Sequence, residues 1–456
     1  MSANSTLALA GVSHKALMRH LFPGDSLEAA ALLICSRGPG PRRRLLVRDV
    51  LAIPHLECER EQHWINWPGR YLEDAIELAS VHSESIIAIH SHPFGNLEFS
   101  MADDKSDAIV MPSLFHGIET EHGSAIITAD GRIRARTYSP RMLSTNIDLV
   151  TVAGDEIQFW WKDILKGPVL PFSSAMTTDL SRQVACVIGV SGTGSVVAEQ
   201  LSRLGFGVVI LIDYDKIEIK NLNRILNSTK KDAELHSSKV EMFARAIESH
   251  RGQGVGHPVD ASILSRDAVL AASQSDVLFC CVDTLEARRI ADLIAAAFLL
   301  PLIDVGVSIP VRKTNVGVSI ADVCGRIDYV QPGSSRLQDR GVYTPESLRA
   351  EYLRRVDPKS FQQEADAGYI RGIQDEAPAV ISLNMAAAAM AVNEYIARVY
   401  PYRVDANERY ARTIFSLKNR EEDCYPESHF TATQEELGRG DLEPLLGIPA
   451  LAKAST

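Results

Sequence analysis

The chain has 456 residues, of which 46% are hydrophobic and 23% charged, and its formal net charge is −11. These values are typical of a globular protein of about three domains, and they exclude a wholly disordered chain. The acidic balance argues against non-specific nucleic-acid binding, which depends on cationic surfaces. We therefore expect a protein partner rather than a nucleic acid.

The seven cysteines are scattered, and none forms a C-x-x-C pair. This pattern favours a reducing compartment and excludes a zinc knuckle built from two C-x-x-C pairs. The longest apolar run, residues 293–303, is too short to span a bilayer. The N-terminus also lacks the charge-then-apolar order of a signal peptide. We expect a cytoplasmic protein that does not enter a membrane.

Residues 1–150 combine short β-like runs with helical stretches, which is typical of an α+β domain. Residues 71–83 carry apolar side chains at helical spacing and predict an amphipathic helix. The segment 151–180 shows no clear period and contains several glycines and prolines. We expect a connector whose aromatic cluster at 159–161 packs on a neighbouring domain.

The apolar run SIIAIH ends in the string HSHP (90–93), and Ser100 and Asp103 follow. Residues i and i+2 of a strand point to the same side, so His90 and His92 can contact one metal ion. Asp103 supplies a third ligand from the helical turn that follows. Three protein ligands with a free fourth position are typical of a catalytic zinc site, which activates water at neutral pH.

These residues resemble the motif of the JAB/MPN metalloproteases, called JAMM, in which a glutamate precedes H-x-H-P-x6-S-x-x-D. The motif here is HSHPFGNLEFSMAD, and Glu28 matches the glutamate better than the nearer Glu84. The resemblance implies zinc ligands His90, His92 and Asp103, a general base Glu28, and a residue that stabilises the tetrahedral intermediate, Ser100. It also implies cleavage of a peptide or isopeptide bond after the C-terminal glycine of a ubiquitin-like protein. A pair of histidines that merely caps a strand is the alternative.

The second half of the chain alternates apolar strands with helices, a rhythm typical of a parallel sheet with helices on both faces. The turn after its first strand contains Gly189, Gly192 and Gly194, which let the backbone approach a phosphate at the following helix N-terminus. Ser191 occupies the place of the second glycine of G-x-G-x-x-G, which argues against a standard dinucleotide-binding domain. The next strand ends at Asp213, an acid placed to hold ribose hydroxyls.

The string DYDKIEIKNLNR (213–224), followed by Lys239 and CVDTLEAR (281–288), resembles the ThiF/MoeB superfamily, the adenylation domains of ubiquitin-activating-like enzymes. The match extends over about 180–400. It implies ATP and Mg²⁺ as cofactors and the C-terminal carboxylate of a small β-grasp protein as substrate. The implied nucleotide-binding residues are the three turn glycines with Asp213, Asp215, Asn221, Arg224 and Lys239. The implied magnesium ligand is Asp283, and Arg288 is a structural or acyl-site contact.

Arg224, Lys239 and Asp283 are also the catalytic residues that the resemblance implies, since they stabilise the charge that develops as pyrophosphate leaves. Many relatives carry a nucleophilic cysteine, but no cysteine lies between 325 and 423 in this chain. Cys324 is the nearest candidate, and its alternative role is that of a small strand residue. Cys424 is a second candidate, as a mobile thiol in the tail. We therefore expect an enzyme that stops at the adenylate.

The sequence predicts an α/β protein with an N-terminal α+β JAB/MPN (cytidine-deaminase-like) domain and a C-terminal Rossmann-like, doubly wound ThiF/MoeB domain. The predicted regions are 1–150 (JAB/MPN), 151–180 (connector), 181–405 (adenylation) and 406–456 (C-terminal arm or tail). Within the adenylation region, we expect a polar insertion or loop at 325–376 and a helix at 379–398.

The hypothesis is a bifunctional enzyme of a bacterial ubiquitin-like modifier pathway, with antiviral defence as one setting. Its peptidase processes the modifier C-terminus, and its adenylation domain activates the terminal glycine. Sulfur-carrier activation in a biosynthetic pathway and a non-catalytic scaffold are the alternatives. The expected partners are a ubiquitin-like or sulfur-carrier β-grasp protein, a conjugating enzyme, and a second copy of the chain in a homodimer.

Overall fold

The computed structural model describes residues 3–95, 97–163, 169–314, 317–366, 380–434 and 436–453. The chain forms two compact units. The N-terminal unit contains Ala3–Pro168, Ala296–Leu299 and Glu435–Thr456, and the C-terminal unit contains Met1–Ser2, Val169–Ala295 and Leu300–Gln434. Within the described ranges, no helix combines the length and the apolar character needed to cross a membrane.

A nine-stranded mixed sheet forms the centre of the N-terminal unit, in the order β11-β10-β1-β3-β2-β6-β7-β8-β9. The strands of this unit are β1 (Ser5–Ala10), β2 (Ala30–Arg37), β3 (Arg43–Ala52), β4 (Glu59–Arg60), β5 (Ile65–Asn66), β6 (Ser85–His92), β7 (His122–Thr128), β8 (Ile133–Tyr138), β9 (Ser144–Asn146), β10 (Leu149–Ala153) and β11 (Ile157–Trp161). The helices are α1 (Gly11–Leu21), α2 (Arg70–Ser80) and α3 (Met101–Gly117). The amphipathic helix predicted at 71–83 is confirmed as α2.

Both faces of this sheet are covered, because alternate residues of a strand point to opposite sides. In β2, Leu33 joins the core that also contains Leu17 of α1, whereas Leu32 joins the core that contains Ala75 of α2 and Met111 of α3. The continuous apolar run of β2 therefore reflects burial on both faces.

The expectation that residues 151–180 form a connector is wrong for the first part of that segment, which belongs to the sheet. β10 pairs in parallel with β1, and β11 pairs antiparallel with β10, so the sheet extends to Trp161. The aromatic cluster alternates between two cores, with Trp160 in one and Phe159 and Trp161 in the other. This alternation has the period of a strand, which explains why no helical period was found. Residues 164–168 of the expected connector lie outside the described residues.

An eight-stranded sheet forms the centre of the C-terminal unit, in the order β14-β13-β12-β15-β16-β19-β20-β21. The strands are β12 (Val184–Ile188), β13 (Val208–Ile212), β14 (Gly256–Val259), β15 (Val277–Cys280), β16 (Leu302–Ser308), β17 (Val311–Thr314), β18 (Gly317–Ile320), β19 (Cys324–Val330), β20 (Arg412–Ser416) and β21 (Glu421–Tyr425). β17 and β18 form a separate two-stranded ribbon.

The helices of the C-terminal unit are α4 (Ser174–Leu180), α5 (Gly192–Leu204), α6 (Lys230–Glu234), α7 (Lys239–Arg251), α8 (Arg266–Ala272), α9 (Leu285–Phe298, of which 296–298 belong to the N-terminal unit), α10 (Pro345–Val356), α11 (Pro358–Asp366) and α12 (Ile381–Val399). β14, β13, β12, β15 and β16 are parallel, as predicted for a doubly wound domain. The strand order reverses between β12 and β15, and such a switch point is where α/β sheets bind ligands.

The expectation of an irregular insertion at 325–376 is wrong in part, since β19, α10 and α11 lie within it. The polar residues of this segment suggested a solvent-exposed loop, but several of them are buried in ion pairs. The fully buried Asp328 accepts hydrogen bonds from Arg340 (Nη1, 3.3 Å) and Arg412 (Nε, 2.8 Å). The predicted helix at 379–398 is confirmed as α12 over its described residues, whereas residues 367–379 lie outside the described ranges.

The region expected as a tail from residue 406 is also ordered over most of its length. β20 and β21 extend the sheet antiparallel to β19, and residues 436–453 form an extended arm in the N-terminal unit. The Asp441 amide donates a 2.8 Å hydrogen bond to the Arg37 carbonyl at the end of β2. Leu445, Leu446 and Leu451 of the arm are buried. Of the two alternatives, arm and loose tail, the structure contains the arm.

A buried polar cluster attaches α3 to the sheet of the N-terminal unit. The Asp107 carboxylate of α3 accepts hydrogen bonds from Arg136 (Nη2, 2.7 Å; Nε, 3.0 Å) and from the Tyr138 hydroxyl (2.8 Å) on β8. Ser124 of β7 donates to the same oxygen. Because α3 carries Asp103 in its first turn, this cluster also positions the predicted zinc ligand.

We expect Asp107→Ala to lower the free energy of unfolding of the N-terminal unit by about 3 kcal/mol, because the buried Arg136 guanidinium loses its buried partner. Asp104 also contacts Arg136 (2.7 Å), but its side chain is 61% exposed, so Asp104→Ala is the matched control with a loss below about 1 kcal/mol. All four tryptophans lie between residues 64 and 161, so their fluorescence during urea unfolding reports on this unit alone. Equal losses for both variants would contradict the assignment.

Candidate metal and nucleotide sites

The predicted metal ligands meet because of the register between β2 and β6. Ala30 lies opposite His90, so Glu28, two residues before β2, lies beside the end of β6. Ser91, between the two histidines, points to the opposite face of the sheet and joins β6 to the residues before β2. Its amide donates to the Ala29 carbonyl and its hydroxyl accepts from the Ala29 amide, both at 2.9 Å.

The distances between the ligand atoms fit a tetrahedral metal ion. The Nε2 atoms of His90 and His92 lie 3.1 Å apart, and the Asp103 carboxylate lies 3.0 Å from His90 Nε2 and 3.7 Å from His92 Nε2. Two nitrogens bound to zinc at about 2.05 Å with tetrahedral angles lie about 3.3 Å apart. The Glu28 carboxylate joins the two histidines, with ligand atoms within 4.8 Å of one another.

Ser100 orients the third ligand. Its hydroxyl accepts a hydrogen bond from the Asp103 amide (3.2 Å), and its own amide donates to Asp103 Oδ2 (2.6 Å), which forms a capping box at the start of α3. This arrangement satisfies two helix N-terminal amides and directs the carboxylate toward the histidines. The Ser100 hydroxyl therefore contributes to the helix cap in this structure.

The electrostatics of Glu28 suit a general base. Burial raises the pKa of Glu28 to about 7, although the nearby His90 opposes the shift. Burial would also raise the pKa of Asp103, but the hydrogen bond and charge of His90 and the hydrogen bonds from Ser100 hold it well below its usual range. One carboxylate thus stays ionised as a ligand, while the other titrates near neutral pH, where proton transfer is most effective.

The competing glutamate is placed elsewhere. Glu84 is buried, and its carboxylate accepts a 2.7 Å hydrogen bond from Arg48 Nη2. Of the two candidates that the sequence offered, only Glu28 lies with the histidines.

The sequence did not reveal the β4–β5 hairpin beside Glu28. The Glu28 amide donates to the Glu61 carbonyl (2.9 Å), and Arg60 Nε donates to the Glu28 carbonyl (2.7 Å). The His63 ring of the hairpin contacts the ring of Phe94, which follows the HSHP string, at 5.5 Å between centroids. These residues have no motif spacing, and only the tertiary structure brings them to the site.

The glycine-rich turn between β12 and α5 leaves little space for side chains at its glycine positions. Gly189 has a φ of +87°, which disfavours any residue with a side chain. A Cβ atom at Gly194 would lie 1.7 Å from the Gly189 carbonyl oxygen. At the N-cap of α5, Ser191 makes no capping hydrogen bond with its side chain among the described residues. The first amides of this helix are therefore available to an anion.

Asp213 connects this turn to the end of β13. Its Oδ2 accepts a hydrogen bond from the Val190 amide (2.8 Å), and its Oδ1 accepts one from the Asp215 amide (2.9 Å). Burial raises the pKa of Asp213, and the charge of Lys239 opposes that shift. Asp215 is more accessible, and it accepts a 2.7 Å hydrogen bond from the buried Lys239 ammonium. The Asp213 carboxylate, which was predicted to contact ribose, thus binds backbone amides, whereas the Asp215 side chain is half exposed.

Asn221 and Arg224 lie in the turn that follows. The Asn221 side chain accepts a 3.0 Å hydrogen bond from the Glu218 amide and is buried, so it shapes the turn. Arg224 donates from Nη1 to a backbone carbonyl of the same turn at 3.0 Å. The Leu226 amide donates to the Ser195 hydroxyl of α5 (3.2 Å), which holds this turn against the first turn of that helix.

The two predicted residues after β15 differ in environment. Asp283 is exposed, just beyond the carboxyl end of the strand. Arg288 donates from Nε to the fully buried Asp304 (3.0 Å) and from Nη2 to the Val305 carbonyl (3.3 Å). Of its two predicted roles, these contacts favour the structural one.

None of the cysteines has the lowered pKa of a nucleophilic thiol. Burial raises the pKa of all seven. Cys324 lies on β19, where its Sγ contacts the Ser308 carbonyl at 3.6 Å, and the exposed Cys424 lies on β21. Reactive cysteines have cationic neighbours that stabilise the thiolate. The charge beside Cys324 is that of Asp322, which raises the pKa further, and at Cys424 burial and two glutamates outweigh the lowering effect of Arg403.

Comparison with known proteins identifies both halves of the chain. The model of the ThiF family matches residues 168–434, and the model of prokaryotic homologs of the JAB domain matches residues 12–139. Ubiquitin-like modifier-activating enzyme 5 of Drosophila pseudoobscura pseudoobscura is 32% identical over 167 residues, which cover 34% of this chain and 38% of that protein. The Caenorhabditis elegans enzyme of the same name is 31% identical over 173 residues, with 34% and 36% covered. The match thus spans little more than a third of these relatives.

Solved structures of E. coli MccB also align with this chain. The complex with succinimide gives a TM-score of 0.43 at 15% identity and covers 57% of this chain and 68% of MccB. The complex with ATP gives a TM-score of 0.41 at 15% identity, with 59% and 67% covered.

We expect MgATP to raise the Tm of the wild-type protein and Gly194→Ala to abolish this effect, because the added Cβ would displace the Gly189 carbonyl and distort the turn. Thr193→Ala is the control, since it removes atoms from the same turn and adds none. Differential scanning calorimetry with and without MgATP measures the effect. Undiminished stabilisation of the Gly194 variant would show that this turn does not bind the nucleotide.

Proposed function

Because the chain belongs to the ThiF family and also contains a JAB domain, we propose that it is a bifunctional enzyme acting on the C-terminus of a ubiquitin-like protein. One activity adenylates the terminal glycine carboxylate with ATP, and the other is a zinc-dependent peptidase that processes the same terminus. The observation that carries the proposal is that one chain combines the His90–His92–Asp103 cluster with the glycine turn and Lys239. The names of the curated relatives support a ubiquitin-like partner.

In the peptidase reaction, His90, His92 and Asp103 would hold the zinc ion, which supplies a Lewis acid and makes water acidic enough to react at neutral pH. Glu28 accepts a proton from the attacking water on its carboxylate and then delivers it to the leaving amine nitrogen. Its raised pKa lets it gain and lose this proton near neutrality. The exposed side chains of Phe94 and Met101, which lie within the motif, offer the substrate an apolar surface.

In the adenylation reaction, a carboxylate oxygen of the partner attacks the α-phosphorus of ATP, and the bond to the departing pyrophosphate breaks. Arg224 and Lys239 supply positive charge for the phosphates, and the outward-facing Asp215 is the better placed acid for the ribose. Asp213 acts through the backbone by holding the glycine turn. The carboxylate oxygens of Asp283 fit a magnesium ion, which would neutralise phosphate charge.

The product of this reaction is an acyl-adenylate that reacts with a nucleophile from outside the chain. The raised pKa values of the seven thiols support this end point over an internal thioester. An amine or cysteine of a conjugating enzyme or target gives modifier conjugation, and a sulfur donor gives a thiocarboxylate. The same thiol observation thus also supports sulfur-carrier activation as a second candidate. We include a homodimer in the proposal, tested by the molar mass in solution.

We expect the purified protein to contain zinc, which His92→Ala and Asp103→Asn remove and Glu28→Gln retains. Glu28→Gln should lower peptidase activity by about 10²–10⁴-fold, the usual contribution of a general base. The exposed His116→Ala is the control and should keep both metal and activity. Elemental analysis and cleavage of a ubiquitin-like protein with a C-terminal extension provide the two readouts. Zinc retained by the His92 variant would refute the assigned ligands.

We expect ATP–pyrophosphate exchange that depends on a ubiquitin-like protein ending in glycine, such as one encoded beside this chain's gene. Arg224→Ala and Lys239→Ala should each reduce the exchange by about 10²-fold or more, because they remove charge-assisted contacts to phosphate. Arg203→Ala, on the exposed surface of α5, should have no effect. Exchange that persists in both active-site variants would exclude these residues from the reaction.

A further inference from the structure

Asn384 lies at the nucleotide turn, although no sequence motif pointed to it. It belongs to the first turn of α12, and the residue is 2% exposed. Its Nδ2 atom faces Gly192, the first residue of α5, so closely that a Cβ there would lie 2.4 Å from it. Arg224 approaches the same position, with its Cδ at 3.2 Å from that Cβ.

The side-chain amide of this nearly buried residue makes no hydrogen bond within the described part of the chain. A buried amide without a partner destabilises the folded protein, so such groups are rare in native structures. The tyrosine and arginine of the same helix differ in this respect. Tyr395 donates to Gln183, and Arg398 donates to Glu394. Asn384 is therefore a nearly buried amide of α12 that has no partner among the described residues and lies beside the glycine turn.

The surroundings of Asn384 favour an anion as that partner. The first amides of α5 have no side-chain cap among the described residues, and helix N-termini attract negative charge. The Arg224 side chain adds a permanent positive charge beside the same turn. Because an asparagine amide donates two hydrogen bonds, it complements backbone amides and a guanidinium around a phosphate oxygen.

We propose that Asn384 donates a hydrogen bond to a phosphate oxygen of ATP bound at the first turn of α5. The proposal rests on the adenylation activity proposed above and adds a binding residue to it. When the partner's carboxylate attacks the α-phosphorus, the electron pair of the broken phosphorus–oxygen bond leaves with pyrophosphate. Asn384 keeps the phosphate oxygen in place during this displacement and takes no proton.

The test uses the full-length protein and MgATP. Asn384→Leu keeps the branched shape of the side chain and removes its hydrogen-bonding capacity. We expect this variant to bind MgATP about tenfold more weakly, the loss typical of one hydrogen bond to a charged oxygen. Without ATP its Tm should be unchanged or higher, because an unpartnered buried amide is replaced by an apolar group. Asn384→Asp should bind MgATP still more weakly, since it brings a negative charge against the phosphate.

The matched control is Asn393→Leu, which changes an exposed asparagine on the same helix and should leave MgATP binding unchanged. Isothermal titration calorimetry measures affinity, and scanning calorimetry of the ligand-free protein measures Tm. If Asn384→Leu binds MgATP as tightly as the wild type, the Asn384 assignment is wrong while the adenylation proposal stands. A lower ligand-free Tm for this variant would point to a structural role and overturn the assignment. If the wild type itself does not bind MgATP, both proposals fall.

Discussion

The proposed nucleotide site depends on one buried carboxylate. Asp213 accepts hydrogen bonds from Val190 in the glycine turn and from Asp215 in the next loop, so it joins the ends of two neighbouring parallel strands. Loss of this acceptor would lower the free energy of unfolding by on the order of 1–3 kcal/mol for each backbone amide left without a partner. The burial that raises the pKa of Asp213 is tolerated because these two amides and the nearby Lys239 compensate it. The positions of Gly189, Asp215 and Lys239 follow from this arrangement.

The proposed metal site depends on a comparable constraint, the register of β2 against β6. A shift of one residue would turn both histidines to the opposite face of the sheet, because side chains alternate along a strand. Ser91 prevents that shift through its two hydrogen bonds with Ala29. The cluster around Asp107 then holds α3, and with it Asp103, against the same sheet. Three elements distant in sequence thus present their ligands to one point.

The sequence indicated the families of both domains better than the arrangement of the strands. Short polar motifs such as HSHP and DYDKIEIKNLNR have strict spacing, so they could be recognised without a structure. The strands β19 and β20 could not, since strands whose charged residues are buried in ion pairs such as Arg412–Asp328 lack a simple apolar pattern. The role of the Asp213 carboxylate was also missed, because only the structure shows which oxygens the backbone occupies. Asn384 lies in an Ala-rich helix, and its position beside Gly192 is purely tertiary.

The central claim is that the chain activates the carboxyl terminus of a ubiquitin-like protein as an adenylate. The most direct test is mass spectrometry of a glycine-ended ubiquitin-like protein incubated with the full-length chain and MgATP, with hydroxylamine added to capture the activated acyl group. The account predicts a C-terminal hydroxamate on the partner together with release of AMP and pyrophosphate. An unmodified partner with no pyrophosphate released, although MgATP is bound, would contradict it.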